Sequence, residues 1–148
     1  VRASRPRAAG AVLLTTGLLA AAGCSGGPTF AEVTGTLRAG GKPLGNVQVE
    51  FWPEVSGPRS IGVTDKDGRF TLTSDDGRHP GAVVGSHKVV LVDLAPYARV
   101  PVDRPRDVEK IDLKSARFGP RYADPNRTPL RAAVEAGKAN PVDLEAGP

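Results

Sequence analysis

Residues 33–53 read VTGTLRAGGKPLGNVQVEFWP, and this stretch decides the fold. Val47, Val49 and Phe51 alternate with Gln48, Glu50 and Trp52. A period of two puts one set on each face of a strand. The apolar set is therefore predicted to face a core, and Trp52 to point away from it. Val33–Arg38 is predicted as the preceding strand. Between the two, Gly40-Gly41-Lys42-Pro43-Leu44 supplies the residues that turns require.

The same alternation continues outward. Ile61–Thr64, Phe70–Thr73, His87–Leu94, Leu130–Val134 and Pro141–Leu144 are predicted as further strands. Asp65-Lys66-Asp67-Gly68-Arg69 is predicted to join the third and fourth, with Gly68 at the position that needs positive φ. Gly137-Lys138 separates the last two. Seven short strands with turn signals between them predict an all-β fold, a seven-stranded antiparallel β-sandwich of prealbumin-like or Ig-like type. A polar excursion from about residue 95 to 120 precedes the last two strands. It is longer than loops usual in a compact domain. Arg106–Phe118 within it is predicted to form at most one or two helical turns.

The amino-terminal segment has another character. Arg2, Arg5 and Arg7 precede an apolar run from Ala8 to Ala20. Ala21-Ala22-Gly23 then leads to Cys24, the only cysteine. A basic start, a short apolar stretch and small residues at a cut site make a secretory signal. The apolar run is shorter than the roughly 20 residues that span a bilayer. The arrangement resembles the lipobox of bacterial lipoproteins. That resemblance implies cleavage between Gly23 and Cys24 and lipid attachment at Cys24. Val1 and the absence of methionine fit initiation at a GTG codon. The domain plan is a signal at 1–23, a flexible tether at 24–30 and a β-sandwich at 31–148. The implied location is the cell envelope, membrane-anchored and facing the periplasm or the exterior.

Charge is consistent with this plan. The chain has 20 basic and 16 acidic residues, an excess of four. Three of those four positive charges are Arg2, Arg5 and Arg7, within the segment the signal would remove. The remainder is nearly neutral, so nothing calls for nucleic acid. A single cysteine leaves no internal disulfide.

Residues 33–92 also resemble the carboxypeptidase regulatory-like domain, a transthyretin-like (prealbumin-like) sandwich. The carriers are the "V-x-G-x-V" opening at Val33, with Leu37 in place of its last valine, the "GKPL" turn at 41–44, the "V-x-F-x-P" strand at 49–53 and "T-D-x-D-G-x-F" at 64–70. His87 stands where that family commonly has tyrosine. Residues 121–146, RYADPNRTPLRAAVEAGKANPVDLEA, resemble the ending of small planctomycete-type lipoproteins, in which a final hairpin follows "KYxDPxTTPL". The architecture that this resemblance implies also occurs in 5-hydroxyisourate hydrolase. That enzyme's Tyr-Arg-Gly-Ser ending is not matched by Leu144-Glu145-Ala146-Gly147-Pro148, so the hydrolase is the weaker resemblance.

No catalytic constellation stands out. Asp65 and Asp67 are two carboxylates, short of the six to eight oxygens calcium requires, and the stretch reads as a turn. His79 and His87 are the only histidines and lack zinc-ligand spacing. Ser60, Ser74, Ser86 and Ser115 lie in no nucleophile motif. No metal or cofactor is implied. The candidate ligand contacts are Trp52, which could stack on a sugar or a partner protein, and Tyr122, which reads first as a pin for its loop. The sequence thus predicts a lipid-anchored, non-enzymatic envelope domain. Its partners would be the membrane through Cys24 and an envelope protein or glycan. A carbohydrate-binding module using Trp52 is the alternative, and a small hydrolase the less favoured one.

Overall fold

Strands β1 (Phe30–Ala31), β2 (Val33–Ala39), β3 (Lys42–Pro43), β4 (Val47–Pro53) and β5 (Ser60–Val63) occupy the first half of the domain. β6 (Arg69–Thr71), β7 (Thr73–Ser74), β8 (Ala82–Val83), β9 (Gly85–Asp93), β10 (Arg131–Val134) and β11 (Asn140–Ala146) complete it. This computed structural model describes residues 26–98 and 112–147. The expected signal at 1–23, Cys24 and the charged stretch from Arg99 to Ile111 lie outside the described residues.

Two main sheets form. One runs β10-β9-β4-β5-β7, antiparallel throughout. The other centres on β2, flanked by β11 and by the short β3 and β6. β1 and β8 make a separate two-stranded pair. Both main sheets contribute to one core: Val33, Leu37, Phe70 and Leu144 from the β2 sheet, and Val47, Val49, Phe51, Val89 and Leu91 from the other. The fold is all-β, arranged as a β-sandwich. Val47, Val49 and Phe51 are fully buried, as their alternation predicts.

Five features depart from the sequence reading. The fourth predicted strand is really two, β6 and β7. β6 pairs with β2 and β7 with β5, so the chain changes sheets at Leu72, which is fully buried. The count also rises above seven through the short β1, β3 and β8, which have no alternation to read. The last two strands form no hairpin: β10 joins β9 and β11 joins β2, so residues 135–139 cross between sheets. Nor is the sandwich wholly antiparallel, because β11 runs parallel to β2 from Asn140↔Val33 to Ala146↔Ala39. Parallel partners need a long connection, which nearly the whole domain supplies. Finally, Phe30, expected in a tether at 24–30, lies in β1.

The crossover at 135–139 is held by Asn140. Its side-chain carbonyl accepts the Glu135 N–H at 2.9 Å, and its amide donates to the carbonyls of Glu32, Glu135 and Lys138 at 3.1 Å. One buried side chain thereby satisfies the backbone of a bend that no ladder serves.

In the excursion, the described part of Arg106–Phe118 holds one 3₁₀ turn, Leu113–Ser115. A second 3₁₀ turn follows at Pro120–Ala123. Arg117 fastens the segment to the sandwich. Its Nη2 lies 2.6 Å from Asp93 Oδ1 and donates to the Gly45 carbonyl at 2.8 Å. Its backbone N–H donates to Asp93 Oδ2 at 2.8 Å.

Candidate functional site

The outer face of the β10-β9-β4-β5-β7 sheet carries Gln48, Glu50 and Trp52, opposite the buried set on β4. Trp52 is half-buried and points away from the core, as its position predicts. It is not a free platform, however. Its indole N–H donates to Glu50 Oε2 at 2.8 Å. Glu50 is only 6% exposed, although it lies on the outer face. Its carboxylate also accepts from Gln48 Nε2 at 2.6 Å and Arg59 Nη1 at 3.1 Å. Arg59 is fixed in turn by Asp75, Nε to Oδ2 3.3 Å, and its guanidinium lies 5.4 Å from the centre of the Trp52 ring. A charge buried outside the core persists because it is paired and fully hydrogen-bonded.

Strand register gives this cluster its layout. Trp52 lies opposite Lys88 on β9, and Lys88 opposite Arg131 on β10. Arg59 flanks the ring from the β5 side. On the Lys88 side an open cleft of about 540 Å³ is lined by Trp52, Pro53, Glu54, Lys88, Pro125 and Asn126. The aromatic ring is therefore oriented before any ligand arrives, which lowers the ordering cost of binding.

Tyr122 has a different role. It is 3% exposed, and its hydroxyl accepts the Gly147 N–H at 2.8 Å. Phe118 packs edge-on against its ring at 5.9 Å. The residue pins the 120–123 turn to the carboxyl end of the sandwich, and its buried ring offers no face to a ligand. The Gly147 N–H holds its hydroxyl pKa below the usual tyrosine value, against the opposing effect of burial.

The two histidines occupy unrelated surroundings. His79 is exposed, and its ring stacks on Phe30 at 4.3 Å. His87 is fully buried beside Phe51, and its Nδ1 lies 3.1 Å from the Gly85 carbonyl. Burial pushes its pKa down, so the ring is neutral at pH 7. The buried Nε2 has no hydrogen-bonding partner among the described residues.

Ser74, Asp76 and His79 share one turn, but their bonds are structural. The Ser74 hydroxyl donates directly to Asp76 Oδ1 at 2.6 Å and accepts the backbone N–H of His79. The imidazole is committed to Phe30 instead. The Ser74 hydroxyl and the Arg78 N–H together hold the Asp76 carboxyl below its usual value. At 65–69, Asp65 Oδ1 accepts the N–H groups of Asp67 and Arg69, both at 2.9 Å. Its carboxylate thus closes a corner between the two sheets. Among the described residues, no group of three or more His, Cys, Asp or Glu side chains is placed to hold a metal ion.

Two structural pairs escaped the sequence reading. Asp93–Arg117 spans a long separation, and only the Asp at the end of a strand hinted at it. Glu50–Arg59 was hidden because a charge on an outward position ordinarily reads as solvated. Comparison with protein-family models, curated proteins and solved structures finds no match.

Proposed function

We propose that this chain is a lipid-anchored, non-catalytic domain of the bacterial cell envelope, of the carboxypeptidase regulatory-like, transthyretin-like type, which engages a protein or glycan partner. The observation that carries the proposal is Cys24, the lone cysteine, placed directly after an apolar run and Ala21-Ala22-Gly23. The described fold supports it in two ways. β1 begins at Phe30, leaving only a short Gly-Pro-containing link to Cys24. The residues that carry the family resemblance also meet in space: Gly35 of the opening motif is the register partner of Phe70 of "T-D-x-D-G-x-F". The separate, structural commitments of His79 and His87 favour a binding role over hydrolysis.

The test is mass spectrometry of the protein recovered from cell membranes. A chain beginning at Cys24 with the mass of attached acyl groups is expected. A Cys24→Ser variant that still partitions with membranes would sink the anchoring claim.

The fixed Trp52 ring beside an open cleft favours a carbohydrate as the partner. One ring face would stack on a sugar, while Lys88, Asn126 and Glu54 supply donors and acceptors around it. Glycan-array binding that disappears in Trp52→Ala supports this reading, and a flat array for the parent protein removes it.

A further inference from the structure

The chain enters the sandwich at one end. Phe30 pairs with Val83 and Ala31 with Ala82. The Val84 N–H donates to the Thr29 carbonyl at 2.8 Å. The polypeptide is therefore fastened from Thr29 onward. From Cys24 to Phe30 even a fully extended chain reaches only about 20 Å. A lipid on Cys24 would keep this end of the domain within that distance of a bilayer.

The surface here suits such a neighbour. Val55 is 56% exposed, the highest among the large exposed apolar residues described. Its side chain lies beside Gly85, and Gly57 lies against Val83, so the 54–58 loop adjoins the β1–β8 pair. Phe30 and Pro58 are half-buried and Pro80 is exposed at the same end. Glu54, Asp75 and Asp76 each lie within ion-pair distance of an arginine: Arg131, Arg59 and Arg78. Their negative charge is partly offset, because Arg59 is shared with Glu50 and Glu32 is exposed beside Gly81, so repulsion from an anionic lipid surface is reduced rather than removed.

We infer that the end formed by β1, β8 and the 54–58 and 75–81 loops faces the phospholipid bilayer, with Val55 at the contact. The opposite end, which carries Val63, faces away. Val63 is 51% exposed and pairs with Gln48, at the far end of β4. Gln48 and Val55 are separated by about 20 Å of mostly extended chain. The inference rests on the proposed acylation of Cys24.

The experiment uses the acylated chain in vesicles of phosphatidylcholine and phosphatidylglycerol. Val55→Cys and Val63→Cys are prepared separately, and the new thiol carries an environment-insensitive fluorophore. Cys24 does not compete, because its thiol is occupied by lipid. Both positions are exposed, so both variants should fold. A nitroxide on the lipid headgroup quenches nearby fluorophores. Quenching several-fold stronger at position 55 than at 63 is expected. Equal quenching, or stronger quenching at 63, on a chain with acyl mass overturns the orientation alone. A chain without acyl mass overturns the anchoring reading and this inference with it.

Discussion

Gly35→Ala should destabilise the domain through one identifiable collision. Gly35 lies on the inner face of β2 between Val33 and Leu37, both fully buried. A methyl group there would run into the ring of Phe70 and the carbonyl oxygen of Val142. The carbonyl cannot retreat easily, because Val142 is locked opposite Gly35 in the β2–β11 ladder. The ring has little room either, since Phe70 is 4% exposed. Overpacking of this kind costs about 1–3 kcal/mol. Restricting the unfolded chain returns about 0.4–1 kcal/mol. A net loss of about 1–2 kcal/mol is expected, read as a lower urea midpoint at unchanged slope. Trp52, the only tryptophan, gives the fluorescence signal. Phe70→Leu in the same background relieves part of the clash. The double variant should be more stable than the two separate costs predict, by about 0.5 kcal/mol or more. A Gly35→Ala variant as stable as the parent, or costs that simply add, refutes the packing argument.

Two further substitutions test the buried ionisable groups. Arg117→Ala strips charge-assisted hydrogen bonds from Asp93, which is 7% exposed, and should cost about 2 kcal/mol at pH 7 in urea denaturation. Burial alone would raise the Asp93 carboxyl, but the Arg117 side chain and the N–H groups of Arg117 and Ala95 hold it below the ordinary 3.8. Its stabilisation is thus present above that pH and lost as pH falls through the lowered folded value. The gap between parent and variant should narrow below about pH 3.8, and a constant gap refutes the assignment. For His87 the folded pKa lies below the ordinary 6.5, so the unfolded chain takes up its proton first. Parent stability should decline as pH falls from 6.5 towards the folded value. His87→Leu should flatten that decline below pH 6.5, and an unchanged slope would assign it to another group.

Much of the fold is legible because alternation reports directly on burial. β4 shows this best: Val47, Val49 and Phe51 share one face whatever the strand pairs with. Alternation is silent about partners, and there the sequence reading fails. Thr71-Leu72-Thr73 looks the same whether a strand continues in one sheet or passes to another. The change of sheet depends on the Leu72 N–H donating to the Val33 carbonyl while its own carbonyl accepts from Gly81. Gly137 likewise marks a break after β10, yet a break followed by a strand describes both a hairpin and a crossover. Asn140 decides between them, and its four bonds involve groups as remote as Glu32.

The candidate site was legible in direction but not in environment. The period placed Trp52 outward, and it does face outward. What the ring touches depends on Arg59, which follows a loop, and on Glu50, whose burial comes from its neighbours rather than its position on the strand. This changes what a Trp52 substitution measures. Trp52→Ala removes both a stacking surface and a donor to a nearly buried carboxylate, so lost ligand binding could reflect either. Trp52→Phe separates the two in part, since it keeps an aromatic face, though a smaller one, and deletes the indole N–H. A sugar site built on stacking should retain much of its binding in Trp52→Phe and lose it in Trp52→Ala. Equal loss in both variants would mean that Glu50, left short of a donor, disturbs the cleft, and that the ring itself contributes little to recognition.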